Sequence, residues 1–182
     1  MEELLQQLAD VNYSGAPFLI AYGITWNICG WMWLRFDSRT ASLATLFQGM
    51  FALPLALGIM FSVGAFENRP DTGIVDELVI IIAMSQLLVI PLLIAIFIRS
   101  DFPLIPFVFS AAGAVHFLMY TWLYQTFSYL VMAVLIAVAL AIVYGIKRGG
   151  SGPSSAAASS ACFATGILLL LHAVYLVISH MV

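Results

Sequence analysis

Charged side chains are scarce in this chain of 182 residues: Asp, Glu, Lys and Arg make up 8% of it, whereas hydrophobic residues make up 63%. A water-soluble domain of this size would aggregate with so little charge and so much apolar surface. With only six Lys and Arg residues and a net charge of −3, the chain also lacks a basic surface for a phosphate backbone. We therefore expect a membrane protein without a nucleic-acid partner.

The sequence motifs of common enzymes are missing as well. The chain has no G-x-S-x-G elbow, no P-loop and no dinucleotide fingerprint. Its three histidines, His116, His172 and His180, lack the H-x-x-x-H or carboxylate-rich spacing of metal sites. We accordingly predict no catalytic residue, no metal and no cofactor.

Cysteine is rare, with Cys29 and Cys162 each placed inside an apolar run. Buried thiols usually behave as small hydrophobic groups, so neither a disulfide nor a metal role is expected for them. The first residues are acidic where a secretory signal would be basic, and no A-x-A-type cleavage site follows. A cleaved signal peptide is therefore not expected.

Long apolar stretches are what the chain has in abundance. They are continuous and are separated by short charged or Pro/Gly-containing loops, which indicates helices rather than barrel strands. About twenty residues of helix cross the roughly 30 Å hydrocarbon core of a bilayer. The sequence predicts one all-α, polytopic domain with six spans at about 16–34, 41–65, 78–98, 103–124, 126–146 and 161–179.

Two further segments complete the predicted architecture. Residues 1–14 place apolar side chains on one helical face, which is typical of a helix lying on the membrane surface. Residues 147–160 are rich in Gly, Ser and Ala, and we predict a flexible cytoplasmic linker there.

The distribution of Lys and Arg orients the predicted bundle. Arg69 lies alone in its connection, while the first, third and fifth connections share the other five basic residues, Arg35, Arg39, Arg99, Lys147 and Arg148. By the positive-inside tendency these three connections are cytoplasmic and both termini lie outside. The expected location is the bacterial cytoplasmic membrane.

Uncharged polar side chains occur in every predicted span except the fifth: Asn27, Gln48, Gln86, His116 and His172. Facing lipid would cost each of them free energy, so we expect them to point into the bundle. There they either bond to one another and to the backbone carbonyls that Pro54 and Pro91 leave without a donor, or line a solute path. No Asp, Glu, Lys or Arg lies in the middle of a predicted span, which disfavours an ion-coupled transporter.

His116 is the strongest candidate among these residues. Tyr120 and Tyr124 follow it at four-residue intervals, so the three rings share one face of the fourth span. His172 is the second candidate, with Thr165 seven residues before it on the same face. The predicted substrate-binding residues are His116, Tyr120, Asn27, Gln48, Gln86 and His172.

A constant offset of 89 residues relates parts of the two halves of the chain. Asn27 falls opposite His116, and the motif Pro17, Phe18, Trp33, Leu34 matches Pro106, Phe107, Trp122, Leu123. Three spans per half would make the halves a 3+3 inverted repeat. Transporters with this plan bind their substrate at the repeat interface.

The chain resembles a family of small bacterial integral membrane proteins known only as a domain of unknown function. The resemblance rests on GAPFLIAYGITW at 15–26, FALPLALGIMFS at 51–62, SQLLVIPLLIA at 85–95 and AVHFLMYTWLY at 114–124. It implies an integral membrane protein and brings no assigned activity, substrate or catalytic residue.

A second, partial resemblance is to the six-span urea and amide channels. NICGW at 27–31 followed by DSRTA at 37–41 is similar to the first-span exit of those proteins. Their later tryptophan-rich pore helix has no counterpart in 126–146. This resemblance implies passage of a small solute.

Three functions fit these features. The first is a channel or transporter for a small neutral or weakly polar solute, lined by the polar residues. The second is a non-transporting structural, sensory or assembly protein, in which Asn27, Gln86 and His116 bond to one another. The third is a lipid-acting enzyme with a lateral opening beside His116. The expected partners are the lipid bilayer, a small-molecule solute and further copies of the chain in a homo-oligomer.

Overall fold

The structure is a computed structural model that describes residues 2–67, 73–145 and 154–181. The described residues are mostly helical and contain no strand, so the all-α prediction is confirmed. The helices are α1 (Glu2–Val11), α2 (Ala16–Arg35), α3 (Ser38–Phe47), α4 (Gly49–Ser62), α5 (Ile74–Ser85), α6 (Ile90–Ile98), α7 (Leu104–Leu123), α8 (Ser128–Gly145) and α9 (Ser155–Met181). Short 3-10 helices at Tyr13–Gly15 and Gln86–Val89 join some of them.

Five stretches of the described residues are long and apolar enough to cross a membrane. They are Ser38–Ser62, Glu77–Ile98, Leu104–Leu123, Ser128–Gly145 and Ser155–Met181. These lengths and compositions indicate a membrane protein. The predicted first span corresponds to α2, which has 20 residues but is not among the five. Asn27 and three tryptophans, Trp26, Trp31 and Trp33, make α2 less apolar than the others.

Two of these stretches are irregular close to their prolines. Pro91 has no N–H for the carbonyl of Leu87. At the 3-10 helix Gln86–Val89, the N–H of Ile90 donates to the Leu87 carbonyl and so replaces the missing donor. The junction of α3 and α4 lies at Gln48, upstream of Pro54, and the Gln48 carbonyl accepts from Phe51 and Ala52 at 3.0 and 2.8 Å.

Asp37 separates α2 from α3 and caps the second of these helices. Its carboxylate accepts from the Thr40 backbone N–H at 3.0 Å and from the Thr40 hydroxyl at 2.8 Å. These two hydrogen bonds, the backbone one foremost, hold the pKa of Asp37 below its usual value. An aspartate in this position satisfies helix N–H groups that would otherwise lack a partner.

Helices α2 and α9 form the closely packed centre of the bundle. A Cβ atom added to Gly166 would lie 2.8 Å from the Gly23 carbonyl oxygen, and one added to Gly30 would lie 3.0 Å from the Phe163 ring. Small residues let helix backbones approach this closely within a membrane.

The two central helices run antiparallel. The Ser14 hydroxyl lies 2.9 Å from Nε2 of His180 at one end of the bundle, which we call the terminal end. At the other end, the loop end, the hydroxyls of Ser38 and Ser155 are 2.9 Å apart. The start of α2 therefore lies beside the end of α9.

Helix α1 covers the terminal end. Its Leu5 and Leu8 are buried against Val75 of α5 and Leu123 of α7. The apolar face that predicted a helix on the membrane surface is thus turned towards the bundle, because apolar side chains of α5 and α7 are available there.

Helix α9 begins earlier than the sequence predicted. It starts at Ser155, so residues 155–160 of the predicted linker are helical. Ser154 precedes the helix, and its hydroxyl accepts from the Ala157 N–H at 3.2 Å, as an N-cap serine does. The alanines that follow favour helix. Residues 147–153 of the predicted linker lie outside the described residues, and so does Arg69. Arg69, Lys147 and Arg148 helped to predict the topology.

Candidate functional site

A group of aromatic rings fills the bundle towards the terminal end, and we call it the ring cluster. Its members are His116, Tyr120 and Tyr124 of α7, Tyr129 of α8 and His172 of α9. The ring centroids are 5.1 Å apart for His116 and Tyr120, 5.6 Å for Tyr120 and Tyr129, and 4.7 Å for Tyr129 and His172. The two predicted histidines are therefore connected through tyrosines of two helices.

The two histidines differ in their hydrogen bonds. Nε2 of His116 lies 3.1 Å from the Tyr120 hydroxyl, and its Nδ1 lies 3.3 Å from the Ser85 hydroxyl. His116 is thus a buried histidine whose two nitrogens both have partners. Nε2 of His172 is buried and has no hydrogen-bond partner among the described residues. Because unmet polar atoms are costly inside a protein, the unpartnered Nε2 distinguishes His172 from His116 within the ring cluster.

A strained turn closes the ring cluster at the terminal end. Tyr13, Ser14 and Gly15 have φ values of +52°, +51° and +85°, which residues other than glycine rarely adopt. A Cβ atom at Gly15 would lie 3.0 Å from the hydroxyls of Tyr124 and Tyr129, so the glycine also makes room for the cluster. Such a conformation persists only where its surroundings fix it.

Hydrogen bonds to the ring cluster supply that fixation. The Tyr129 hydroxyl donates to the Ser14 carbonyl at 2.5 Å. The side-chain amide of Asn12 donates to the Tyr124 hydroxyl at 3.2 Å. The turn and the ring cluster therefore hold each other in place.

Replacing Tyr129 with phenylalanine should weaken this closure. The ring stays, but the Ser14 carbonyl loses its donor, which we expect to lower the free energy of unfolding by about 1–2 kcal/mol. Unfolding in detergent micelles measures the change, and Tyr175→Phe is the matched control because Tyr175 is 54% exposed. Equal stability of the two variants would show that the bond to the turn contributes nothing.

Helix α9 carries a series of polar side chains along its length, and we call this series the polar file. Its buried members are Ser159, Cys162, Thr165 and His172. Ser155, which is half-buried, and His180, which is exposed, continue the file at the two ends of the helix. At 1.5 Å per residue, a helix of 27 residues is about 40 Å long, which exceeds the hydrocarbon core. The fully buried Leu169 interrupts the file between Thr165 and His172.

Members of the polar file meet other helices. The Ser159 hydroxyl donates to the Gly30 carbonyl of α2 at 2.8 Å. The Thr165 hydroxyl lies 2.5 Å from the Ser110 hydroxyl of α7. The file is therefore enclosed by protein along much of its length.

A second polar group, the loop-end group, lies beside the file and consists of Cys29, Trp33, Thr45 and Gln48. Nε1 of Trp33 donates to the Thr45 hydroxyl at 3.0 Å, and Thr45 donates to the Ala41 carbonyl at 2.9 Å. The Cys29 thiol lies 4.0 Å from Oε1 of Gln48. Nε2 of Gln48 is buried without a hydrogen-bond partner among the described residues.

The six predicted site residues do not form one site. His116, Tyr120 and His172 meet in the ring cluster, and Gln48 belongs to the loop-end group. Gln86 lies in the 3-10 helix before α6 and is half-buried.

Asn27 lies apart from the others. Its amide donates to the Gly23 carbonyl of its own helix at 2.7 Å. It faces an open groove of about 410 Å³ between α2 and α9, whose other lining residues are Ile24, Ile28, Trp31, Ile167 and Leu170. Asn27 and His116 therefore do not bond to each other, since the bonds of His116 go to Ser85 and Tyr120.

Sequence reasoning missed Tyr129, which joins the two histidines. It is the first buried residue of α8 and the one that bonds to the strained turn, yet it opens a span that is otherwise apolar. The close contact of α2 with α9 was missed too. The seven-residue spacing of Gly23 and Gly30 was a usable signal for it.

Comparison with known proteins gives one result. A family model described as a family of unknown function (DUF7010) matches residues 1–179, which include the ring cluster, the loop-end group and most of the polar file. No curated protein and no solved structure matches the chain. The comparisons thus show neither a likeness to urea and amide channels nor a bacterial origin.

Proposed function

Because the chain belongs to the family of unknown function DUF7010, which brings no activity with it, we propose a function from its own geometry. The protein passes a small neutral or weakly polar solute through the membrane along the polar file of α9. The observation that carries this proposal is the pair of buried nitrogens without partners among the described residues, Nε2 of Gln48 in the loop-end group and Nε2 of His172 in the ring cluster.

The chemistry of the polar file favours an uncharged solute. Its buried groups are hydroxyls, a thiol and an imidazole, and the loop-end group adds an amide and an indole. These exchange hydrogen bonds with a neutral polar molecule as water does, but they do not balance a full charge in a low-dielectric interior. The middle of the predicted spans holds no Asp, Glu, Lys or Arg that could do so.

The proposal includes six membrane crossings, with α2 as the crossing that composition alone does not identify. The contact between Ser14 and His180 supports an even number, because it places the start of α2 beside the end of α9. The basic residues of the first, third and fifth connections favour termini outside a bacterial cytoplasmic membrane. A 3+3 inverted repeat, with Asn27 opposite His116, stays a prediction.

Osmotic swelling of proteoliposomes tests transport. We expect uptake of formamide, urea and glycerol, in decreasing order of rate, above that of protein-free liposomes. His172→Phe keeps a ring of similar size but removes both nitrogens, so it should reduce uptake several-fold, while the exposed Tyr175→Phe should leave it unchanged. Wild-type rates equal to those of protein-free liposomes for the whole panel would refute the proposal.

A second candidate is a non-transporting assembly or structural role, favoured by the hydrogen bonds that join the file to other helices. Its test is a double-mutant cycle with Ser110→Ala and Thr165→Val. Interhelical hydrogen bonds of this kind contribute about 0.6 kcal/mol on average and at most about 1.7 kcal/mol. Coupling in this range together with no solute uptake would favour the second role. The sequence also predicts a homo-oligomer. The mass of the particle in detergent solution measures its number of subunits.

A further inference from the structure

The side-chain amide nitrogen of Gln48 lacks a hydrogen-bond partner among the described residues. Gln48 is 3% exposed, and this nitrogen, Nε2, is buried. A buried donor left unpaired costs about 1–3 kcal/mol. Its backbone is held at the junction of α3 and α4, where the Gln48 carbonyl accepts from Phe51 and Ala52. The backbone of Gln48 is therefore helical at this junction, and its buried side-chain amide has two N–H groups available.

The neighbours of Gln48 do not accept from these donors. The Trp33 indole donates to the Thr45 hydroxyl, and that hydroxyl donates to the Ala41 carbonyl. The thiol of Cys29 lies on the oxygen side of the Gln48 amide, at 4.0 Å from Oε1. Cys162 of the polar file lies beside Thr45 as well, and a thiol is only a weak acceptor. An acceptor for the amide N–H groups has to come from elsewhere.

We propose that the loop-end group is a binding site for a small neutral molecule, which it holds through a carbonyl or equivalent oxygen that accepts from Nε2 of Gln48. This inference specifies the substrate class of the proposed transport, and it rests on that proposed function. The surrounding thiols, hydroxyl and indole carry no charge, so they match an uncharged ligand. The ligand oxygen replaces the missing acceptor, and the polarisable sulfur atoms contact its apolar part.

Solution NMR of the wild-type protein in detergent tests this site without a folding risk. The chain has five glutamines, Gln6, Gln7, Gln48, Gln86 and Gln125, so selective ¹⁵N labelling gives five side-chain amide signals, and Gln48→Met identifies that of Gln48. Acetone is the probe because it has a carbonyl and no N–H or O–H donor. We expect a saturable downfield shift of the Gln48 amide protons. The exposed Gln6 and Gln7 should show only a linear solvent effect.

The outcomes separate this inference from the transport proposal. A Gln48 signal that changes only as those of Gln6 and Gln7 do would overturn the site, even if the proteoliposomes take up formamide. A saturable Gln48 shift in a protein without uptake would support the site and refute transport. A saturable Gln48 shift in a protein that also takes up solute would support the site and its place on the path. The larger side chain of a Cys29→Leu variant crowds the amide, and loss of the saturable shift in this variant would support the same conclusion.

Discussion

Alanine in place of Gly166 is expected to lower the free energy of unfolding by about 1–3 kcal/mol, the usual cost of adding an atom to a closely packed core. The added Cβ would lie 2.8 Å from the Gly23 carbonyl oxygen and would also collide with the Asn27 amide. A backbone carbonyl cannot move aside without separating α2 from α9. Intrinsic helix propensity favours alanine over glycine by about 1 kcal/mol, so a loss of stability shows that the contact dominates.

Gly58→Ala is the matched control for this prediction. Gly58 is also helical, but no atom lies within 4 Å of an added Cβ there. Only the higher helix propensity of alanine then acts, so we expect the free energy of unfolding to rise by up to about 1 kcal/mol. Reversible unfolding in mixed micelles measures both variants. If Gly166→Ala is as stable as Gly58→Ala, the two helices are not packed as closely as the structure shows.

Leu169→Ala is expected to change stability and transport in opposite directions. Leu169 is fully buried, and truncation of such a leucine costs about 2–5 kcal/mol. The same change removes the apolar side chain that interrupts the polar file between Thr165 and His172. Solute uptake per folded molecule should therefore increase several-fold.

Leu171→Ala provides the control for a leucine on the same helix. Leu171 is 61% exposed and lies on a face that lipid can reach, so its loss should change stability by no more than about 0.5 kcal/mol and leave uptake as it is. Thermal unfolding and proteoliposome swelling on the same preparations give both readouts. A destabilised Leu169→Ala with unchanged or lower uptake would contradict a path along α9.

The fold class was predictable from the sequence because it depends on properties of single segments. Apolar length and continuity are enough to indicate helices such as α7 and α8, whose observed bounds lie close to the predicted ones. The start of α9 was harder to predict, since serine and alanine are typical both of linkers and of a closely packed helix start.

Which polar residues meet was not predictable, because helical periodicity places side chains on a face without identifying the neighbouring helix. It grouped His116 with Tyr120 correctly, as they share one helix and bond at 3.1 Å. It could not show that Asn27 bonds within its own helix, or that Tyr129 joins His116 to His172. The strained turn at Ser14 depends on hydrogen bonds to distant residues, so no local pattern reveals it.

The central claim is that the buried face of α9 is open to water and small solutes and is not a dry contact between helices. Magic-angle-spinning NMR of ¹⁵N-histidine-labelled protein in bilayers tests it by magnetisation transfer from mobile water to the three imidazoles. His180, at the end of α9, serves as the internal reference. We predict transfer to both His180 and His172. Transfer to His180 alone, with none to His172, would show a dry interface and contradict the proposed path.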